Sequence, residues 1–436
     1  MSTQDLVTRH RAVTPSWLSL YYEQPIELTH GQGRHVWDAD GHRYLDFFGG
    51  ILTTISGHDL PEITEALRAQ AGKLLHTSTL YLSRSLVELS ERLARLSGIP
   101  EAKVFVTTSG TEANEAALLA ATSYRRSNQV LALRNSYHGR SFGTVAVTAN
   151  RSWSPTSLSG LQVTFVHGGY RLRSPFRHLD DADYTDACVQ DLRDVLDMCT
   201  SGDVACLIAE PIQGVGGFAT PPDGFFGAFG KVLADHGILF ISDEVQTGFG
   251  RTGDHFWGYE AHGIVPDLIT VAKGVGNGLS LGAVIGRAEV LDSIPANGIS
   301  TFGGNPMSCA GAVANLDHLL ANDLQGNARR QGATFGAALR RLAERHDWVA
   351  EVRGRGLMWA LETCVPGSDG LGGPEPWPAG AAALMEATRA RGLLVGKGGL
   401  YGNVLRIAPP LSVTDDEVAE ASEILAAAAE EVAGQG

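Results

Sequence analysis

DLITVAKGVGNG, residues 267–278, runs an apolar segment into Lys273 and then places three glycines within five positions. A short apolar run that stops at a polar residue and a glycine turn reads as a strand of a buried sheet, ended at Lys273. The cation is unusual there. The chain has 34 basic residues, yet only Lys73, Lys103, Lys231, Lys273 and Lys397 are lysines. Lys73 and Lys231 lie in helix-like patterns and Lys103 just precedes a strand, which suits solvated side chains. Burial lowers a lysine's pKa enough to give a nucleophilic amine, something arginine cannot supply. Lys273 is therefore a candidate Schiff-base lysine; a side chain snorkelling to solvent is the competing reading.

The same rhythm extends on both sides. From Lys103 onward, KVFVTT, QVLALRN, ACLIAEP, ILFISDEV, DLITVAK and GAVIG alternate with helical patterns such as EANEAALLAATSYRR and FFGAFGKVLADHG. That predicts an α/β fold with a mostly parallel sheet. Upstream, HVWDADGHRYLDFFGG reads as two short strands around a turn, followed by a helix at PEITEALRAQAGKL. Downstream, CAGAVANLDHLLAND and residues 331–345 are helical, GLMWALET and NVLRIAPP are strands, and DDEVAEASEILAAAAEEV is an amphipathic helix. The expected division is an N-terminal segment, 1–60, packing with the small domain; a large domain, 61–310; and a smaller α+β domain, 311–436. Residues 366–380 form a Gly/Pro-rich loop, and 150–186, polar and weakly patterned, read as a long irregular excursion.

Composition narrows the function. At 436 residues, 44% hydrophobic and 19% charged, the chain is globular with ample core, and a net charge of -14 argues against a broad nucleic-acid surface. Cys188, Cys199, Cys206, Cys309 and Cys364 form no CxxC pair, so neither zinc nor a disulfide framework is indicated. No apolar run approaches the roughly 18 residues of a membrane span. The polar start, MSTQDLVTRHRAVTPSW, lacks an apolar leader core. A soluble, cytoplasmic protein is expected.

In open α/β sheets the site lies beyond the carboxyl ends of the strands. KVFVTT is followed by Ser109, Gly110 and Thr111 ahead of a helix, where free N–H groups suit a phosphate; a plain helix cap is the alternative. QVLALRN is followed by Tyr137, His138 and Arg140, ACLIAEP ends at Glu210, and ILFISDEV ends at Asp243 and Glu244. An aromatic ring covers a planar ligand, and buried carboxylates call for something positive to meet them. Together with Lys273 they describe a planar, phosphorylated aromatic aldehyde with a basic ring nitrogen. Pyridoxal 5′-phosphate fits: Asp243 keeps the ring nitrogen protonated, Lys273 takes the aldehyde, Tyr137 covers a ring face, and Gly110 and Thr111 hold the phosphate.

DEVQTGFGRTG, AKGVGNG, SGTEANEAA, YHGRSFGT, EPIQGVGG and TFGGNP, in this order and spacing, resemble the class III, fold type I aminotransferases from about His30 to Val432. GLLVGKGGLYGNVLRIAPPL and STFGGNPMSCAGA look most like the alanine-glyoxylate aminotransferase 2 branch, with 4-aminobutyrate and ornithine aminotransferases as close relatives. The resemblance implies that Thr301 reaches the phosphate in a partner subunit, hence a homodimer with shared sites, and leaves pairing into tetramers open. It implies Val245 opposite Tyr137 on the ring, Gln246 near the ring hydroxyl, Glu210 supporting Asp243, and His138 in the same wall. Arg406 matches the arginine that takes the substrate α-carboxylate. Arg140 matches a carboxylate-binding position of the 4-aminobutyrate branch, with a second-shell or surface salt bridge as the alternative, and Ile51 lies on a pocket segment.

One departure bears on substrate. Those two relatives have QGEGG where this chain has QGVGG, so Val215 replaces the glutamate that neutralises the carboxylate-binding arginine. The implied reaction is transamination from alanine or a short β-amino acid to a 2-oxo acid such as glyoxylate or pyruvate. An omega-aminotransferase acting on 4-aminobutyrate or ornithine, a decarboxylating transaminase, an aminomutase and a racemase share these motifs. A dehydrogenase fingerprint in GVGNGLSLG fails, because the third glycine position falls on Leu279 or Leu281.

Overall fold

The computed structural model describes residues 3–434. Near the N-terminus, β1 (Leu28–Gln32), β2 (His35–Asp38) and β3 (Arg43–Asp46) form an antiparallel meander. The central sheet contains β4 (Ala102–Thr107), β5 (Gln129–Leu133), β6 (Gln162–Val166), β7 (Cys206–Ala209), β8 (Leu239–Asp243), β9 (Leu268–Val271) and β10 (Gly282–Arg287). Its order is β4-β10-β9-β8-β7-β5-β6, and β10 alone runs against its neighbours. The last part of the chain adds β11 (Val349–Arg355), β12 (Met358–Thr363), β13 (Leu393–Leu394), β14 (Gly396–Gly398) and β15 (Val404–Ile407). Four of these make an antiparallel sheet, β11-β12-β15-β14, while β13 runs parallel to β3 and joins the N-terminal meander.

Every residue of β7, β8 and β9 is buried, which is why they read as unbroken apolar runs. Period-two alternation sends their side chains to two separate cores. Val130, Ile208 and Ile241 pack against Ala113, Ala117, Ala120 and Ala121 of the helix Gly110–Arg125. Leu131, Leu207 and Phe240 meet Tyr184, Leu192, Phe225 and Phe229 from the helices Asp181–Cys199 and Phe225–Asp235. Alanines let the first helix lie close to the sheet, and its N-terminus thereby reaches the strand ends.

The excursion at 150–186 is less irregular than its sequence suggests. It contains β6, which pairs in parallel with β5 as the outer strand of the sheet, and the first residues of the helix Asp181–Cys199. Helices Arg84–Leu96 and Pro378–Ala390 are further elements that the sequence reading did not isolate. Among the described residues all five cysteines are free, and no helix is long and apolar enough to cross a membrane.

The central sheet is joined to the β11-β12-β15-β14 sheet through Arg251. Its buried Nη1 donates to the carbonyls of Leu357 and Pro409, and burial pulls the guanidinium pKa down to about 9. On the antiparallel sheet, the helix Leu324–Ala343 presents Gly332 and Gly336 to the turn before β12 and to Trp359. A Cβ at Gly332 would stand 2.0 Å from the Gly356 carbonyl oxygen, a backbone atom that cannot step aside. Gly332→Ala should therefore lower unfolding free energy by about 1–3 kcal/mol in denaturant titrations. Gly372→Ala, where nothing lies within 4 Å, should stay within about 0.5 kcal/mol of wild type. Equal effects at the two positions would contradict this packing.

Candidate active site

At the carboxyl ends of the parallel strands lies a cavity of about 300 Å³. Asp243, the last residue of β8, sits at its floor and is 4% exposed. Its Oδ2 accepts from Asn114 Nδ2 at 2.8 Å and faces His138 Nδ1 at 2.7 Å, while Oδ1 accepts from Val245 N at 3.1 Å. Asn114 is itself fixed, donating to the His138 carbonyl at 2.8 Å and accepting from Thr270 Oγ1 at 2.6 Å. The far ring nitrogen of His138, Nε2, is buried without a partner.

Glu210 follows β7 and accepts from the backbone N–H of Tyr137 at 2.9 Å and of Gly214 at 2.7 Å. Burial pushes its carboxyl up to about 7; His138 opposes this, the Asp243 charge adds to it, and the two N–H groups oppose it. Lys273 follows β9 with a left-handed backbone, φ 47°, a conformation that costs a non-glycine residue roughly 1–3 kcal/mol. Burial lowers the pKa of its amine, Asp243 and Glu210 work against that, and Arg406 reinforces it.

The helix Gly110–Arg125 opens on the opposite side. Ser109 Oγ accepts from Glu112 N at 3.2 Å, so the cap reading holds, yet Gly110 and Thr111 still line the cavity. The first N–H groups of a helix have no acceptor within it. A Cβ on Gly110 would lie 3.1 Å from Val245 Cγ2, and one on Gly139 would lie 2.8 Å from Thr111 Oγ1, so both glycines permit close approach. Tyr137 closes a wall, its ring edge-on to Trp153 at 5.6 Å, and burial raises its phenol pKa. Gln246 also lines the cavity, and its Oε1 is buried with no partner.

Nine of the residues named from sequence thus surround one space: Gly110, Thr111, Tyr137, His138, Glu210, Asp243, Val245, Gln246 and Lys273. Four do not line it in this chain. Arg406, on β15, is 4% exposed and donates to the carbonyls of Gly214 at 3.3 Å and Lys397 at 3.1 Å. Its guanidinium lies 5.1 Å from the Phe48 ring and 5.8 Å from Phe218, its Nε is unpartnered, and it forms no ion pair among the described residues. Arg140 is exposed and forms no such pair either. Ile51 is exposed with φ 68°, two residues before Thr53, which does line the cavity. Thr301 is exposed between Ile299 and Phe302.

Asn114 is the residue that sequence reasoning missed. Its signal was a polar side chain on the alanine face of a helix, between Ala113 and Ala117, where an asparagine needs buried partners. Glu244 turns out differently from its neighbour Asp243. It accepts from Ser242 Oγ, Thr247 Oγ1 and the N–H groups of Gly258 and Tyr259, and so anchors a loop away from the cavity.

Residues 20–429 match the family described as aminotransferase class-III. The chain is 38% identical over 414 residues to alanine-glyoxylate aminotransferase 2 homolog 2, mitochondrial, of Arabidopsis thaliana, covering 94% of this chain and 84% of that one. It is 36% identical over 431 residues to the 4-aminobutyrate aminotransferase of Mycobacterium leprae, covering 97% and 94%. It is also similar to the crystal structure of an amine transaminase from an uncultivated Pseudomonas species in its PLP-bound form, with TM-score 0.88, 31% identity and coverage of 94% and 95%.

Glu244 gives a pH test. Burial pushes its carboxyl from 4.5 to about 7 although four donors reach it. The folded state therefore holds the proton more tightly, so this stabilisation is complete below about 4.5 and is lost as pH rises through about 7. In cofactor-free protein, the stability of wild type relative to Glu244→Gln should fall between pH 5 and pH 8, by up to about 3 kcal/mol. A difference that stays flat with pH would contradict the burial assigned to this carboxyl.

Proposed function

From the premise that this chain belongs to the class-III aminotransferase family, we propose that it transfers the amino group of alanine or a short β-amino acid to a 2-oxo acid such as glyoxylate or pyruvate. Its fold is that of the fold type I transferases, and its cofactor is pyridoxal 5′-phosphate. The site suits that group: His138 and Gln246, whose Nε2 and Oε1 are buried without partners, Gly110 and Thr111 at the start of a helix, and Lys273 all line one cavity. When bound, the cofactor supplies an aldehyde that takes up the amino group and a ring that withdraws the electron pair left on the substrate carbon.

The roles divide by chemistry. Gly110 and Thr111 hold phosphate at the positive end of the helix. Asp243 keeps a proton on the ring nitrogen, with Asn114 and His138 fixing its oxygen and Glu210 supporting the arrangement. Tyr137 and Val245 cover the two ring faces, and Gln246 approaches the ring hydroxyl. Lys273 would hold the cofactor's aldehyde carbon and, its pKa lowered by burial, would move a proton at the substrate carbon that bears the amine.

Arg406 carries the substrate reading. It is buried, charged and free of any acidic partner among the described residues, with Val215 where a neutralising glutamate would stand. A donor with a carboxylate near its amine supplies the missing anion, in the bidentate geometry a guanidinium favours. Arg140 and Ile51 are assigned to the rim of the same pocket. Exposed Leu80, Tyr81, Leu82, Ile299 and Phe302 support a second copy covering this side and bringing the partner's Thr301 to the phosphate, hence a homodimer with shared sites. The pairing of β3 with β13 supports the N-terminal segment, 1–60, packing with a small domain, 311–436, around a large domain, 61–310. Free thiols support a reducing compartment, which we take to be the cytoplasm.

The holoenzyme's visible absorption should bleach on adding alanine with no keto acid present, and 4-aminobutyrate or ornithine should act more slowly. Faster bleaching by either of the latter would overturn the substrate assignment, and colour that persists with every donor would favour a mutase or racemase. Arg406→Ala should raise KM for alanine and leave turnover of a carboxylate-free amine unchanged. Asp243→Asn, which removes a charged hydrogen bond of about 1.5–3 kcal/mol, should lower kcat by roughly 10- to 150-fold while leaving the thermal midpoint near wild type.

A further inference from the structure

Lys273 and Asn277, four residues apart, both occupy the left-handed region, at φ 47° and 45°. Asparagine tolerates that region, but lysine does not do so readily, so local sterics disfavour the turn at Lys273. The groups that hold it come from elsewhere in the chain. Asn315, on the helix Pro306–Ala321 and fully buried, donates from Nδ2 to the carbonyls of Gly274 at 2.9 Å and Val275 at 3.2 Å. These are the two residues directly after Lys273. Asn315 Oδ1 accepts from Ser56 Oγ at 2.7 Å, the Ser56 N–H donates to Asn277 Oδ1 at 2.9 Å, and Asn277 Nδ2 donates to the Gly57 carbonyl at 2.9 Å. Ser412 Oγ fixes Ser56 in turn, donating to its carbonyl at 2.8 Å.

We propose that Asn315 is a positioning residue for the Lys273 amine: seated on Ser56, its side-chain amide locks the turn that aims Nζ into the cavity. A lysine that relaxed to the extended or right-handed region would swing its Cα–Cβ bond and carry Nζ off that line. Alanine at 315 leaves the Val275 carbonyl without its donor, leaves the Gly274 carbonyl only the long bond from the Asn277 N–H at 3.4 Å, and removes the brace. The protein contains its own comparison. Asn403, also fully buried, donates from Nδ2 to the Thr363 carbonyl at 2.7 Å, a brace of the same kind, and neither residue lines the cavity.

This inference rests on Lys273 being the point of cofactor attachment. Attachment joins the neutral Nζ to the aldehyde carbon, and the aldehyde oxygen leaves with the two amine protons as one water. Cofactor-free wild type, Asn315→Ala and Asn403→Ala would each be mixed with pyridoxal 5′-phosphate and stopped at intervals with borohydride, which adds hydride to the carbon–nitrogen double bond. Peptide masses then locate and count the label. Affinity for pyridoxamine 5′-phosphate, which has no aldehyde, is measured alongside. Asn315→Ala should label Lys273 roughly 30-fold more slowly, the scale of a lost orientation of the reacting amine, at unchanged pyridoxamine 5′-phosphate affinity. Asn403→Ala should label at the wild-type rate. Labelling of Asn315→Ala at the wild-type rate, or a matching loss of pyridoxamine 5′-phosphate affinity, overturns the proposal. If Asn315→Ala does not fold, Ser56→Ala, which removes only the bond to Oδ1, must slow labelling several-fold or the proposal falls. Label on a residue other than Lys273 in wild type overturns the attachment reading itself.

Discussion

Two carboxylates buried opposite one amine are the constraint on which the molecule is arranged. Asp243 and Glu210 end adjacent strands, and neither forms an ion pair with an arginine among the described residues. Buried charge of this kind persists only when each lone pair is met by a well-placed donor. Most of these donors come from other segments of the chain. The helix after β4 delivers Asn114, the segment after β5 delivers His138 and the Tyr137 N–H, and the loop after β7 delivers Gly214. Strand order brings these segments together. The low-dielectric surroundings that make the carboxylates costly also lower the pKa of the Lys273 amine, so one condition serves both the acid and the base of the site.

Most of this was legible in the sequence for a physical reason. A strand buried on both faces must be free of charge along its length, so the first charged residue after the run marks the sheet edge, and Lys273, Asp243 and Glu210 each stand at such a mark. Asn114 carried no such mark: it lies within a helix, and its partner Asp243 is 129 residues away. Glu244 shared Asp243's mark but points away, because successive side chains at a strand end diverge. The edge strand β6, with polar residues flanking it and a partly exposed face, left too weak an alternation to stand out. Arg406 sits within a buried strand, where only the family resemblance gave it a role.

The arginine on β15 is held without being neutralised. Two backbone carbonyls and two aromatic faces surround it, each offering partial negative charge and none a full countercharge. The carbonyl of Gly214 belongs to the residue whose N–H meets Glu210, so one peptide segment touches both the anionic and the cationic ends of the site. A backbone shift there would be felt at both.

The reversed strand β10 has a consequence for the order in which the protein forms. Its two neighbours are β4 and β9, and β4 has no other strand partner, so Thr107 waits for Gly282. A ribosome therefore releases the first strand of the sheet well before its partner, and β4 stays unpaired until Gly282–Arg287 has been made. The turn at Ser109–Thr111 follows directly on β4 and takes its place when the sheet closes. Cofactor capture accordingly belongs to the end of folding, and a chain truncated before β10 is an unpaired strand edge exposed to aggregation.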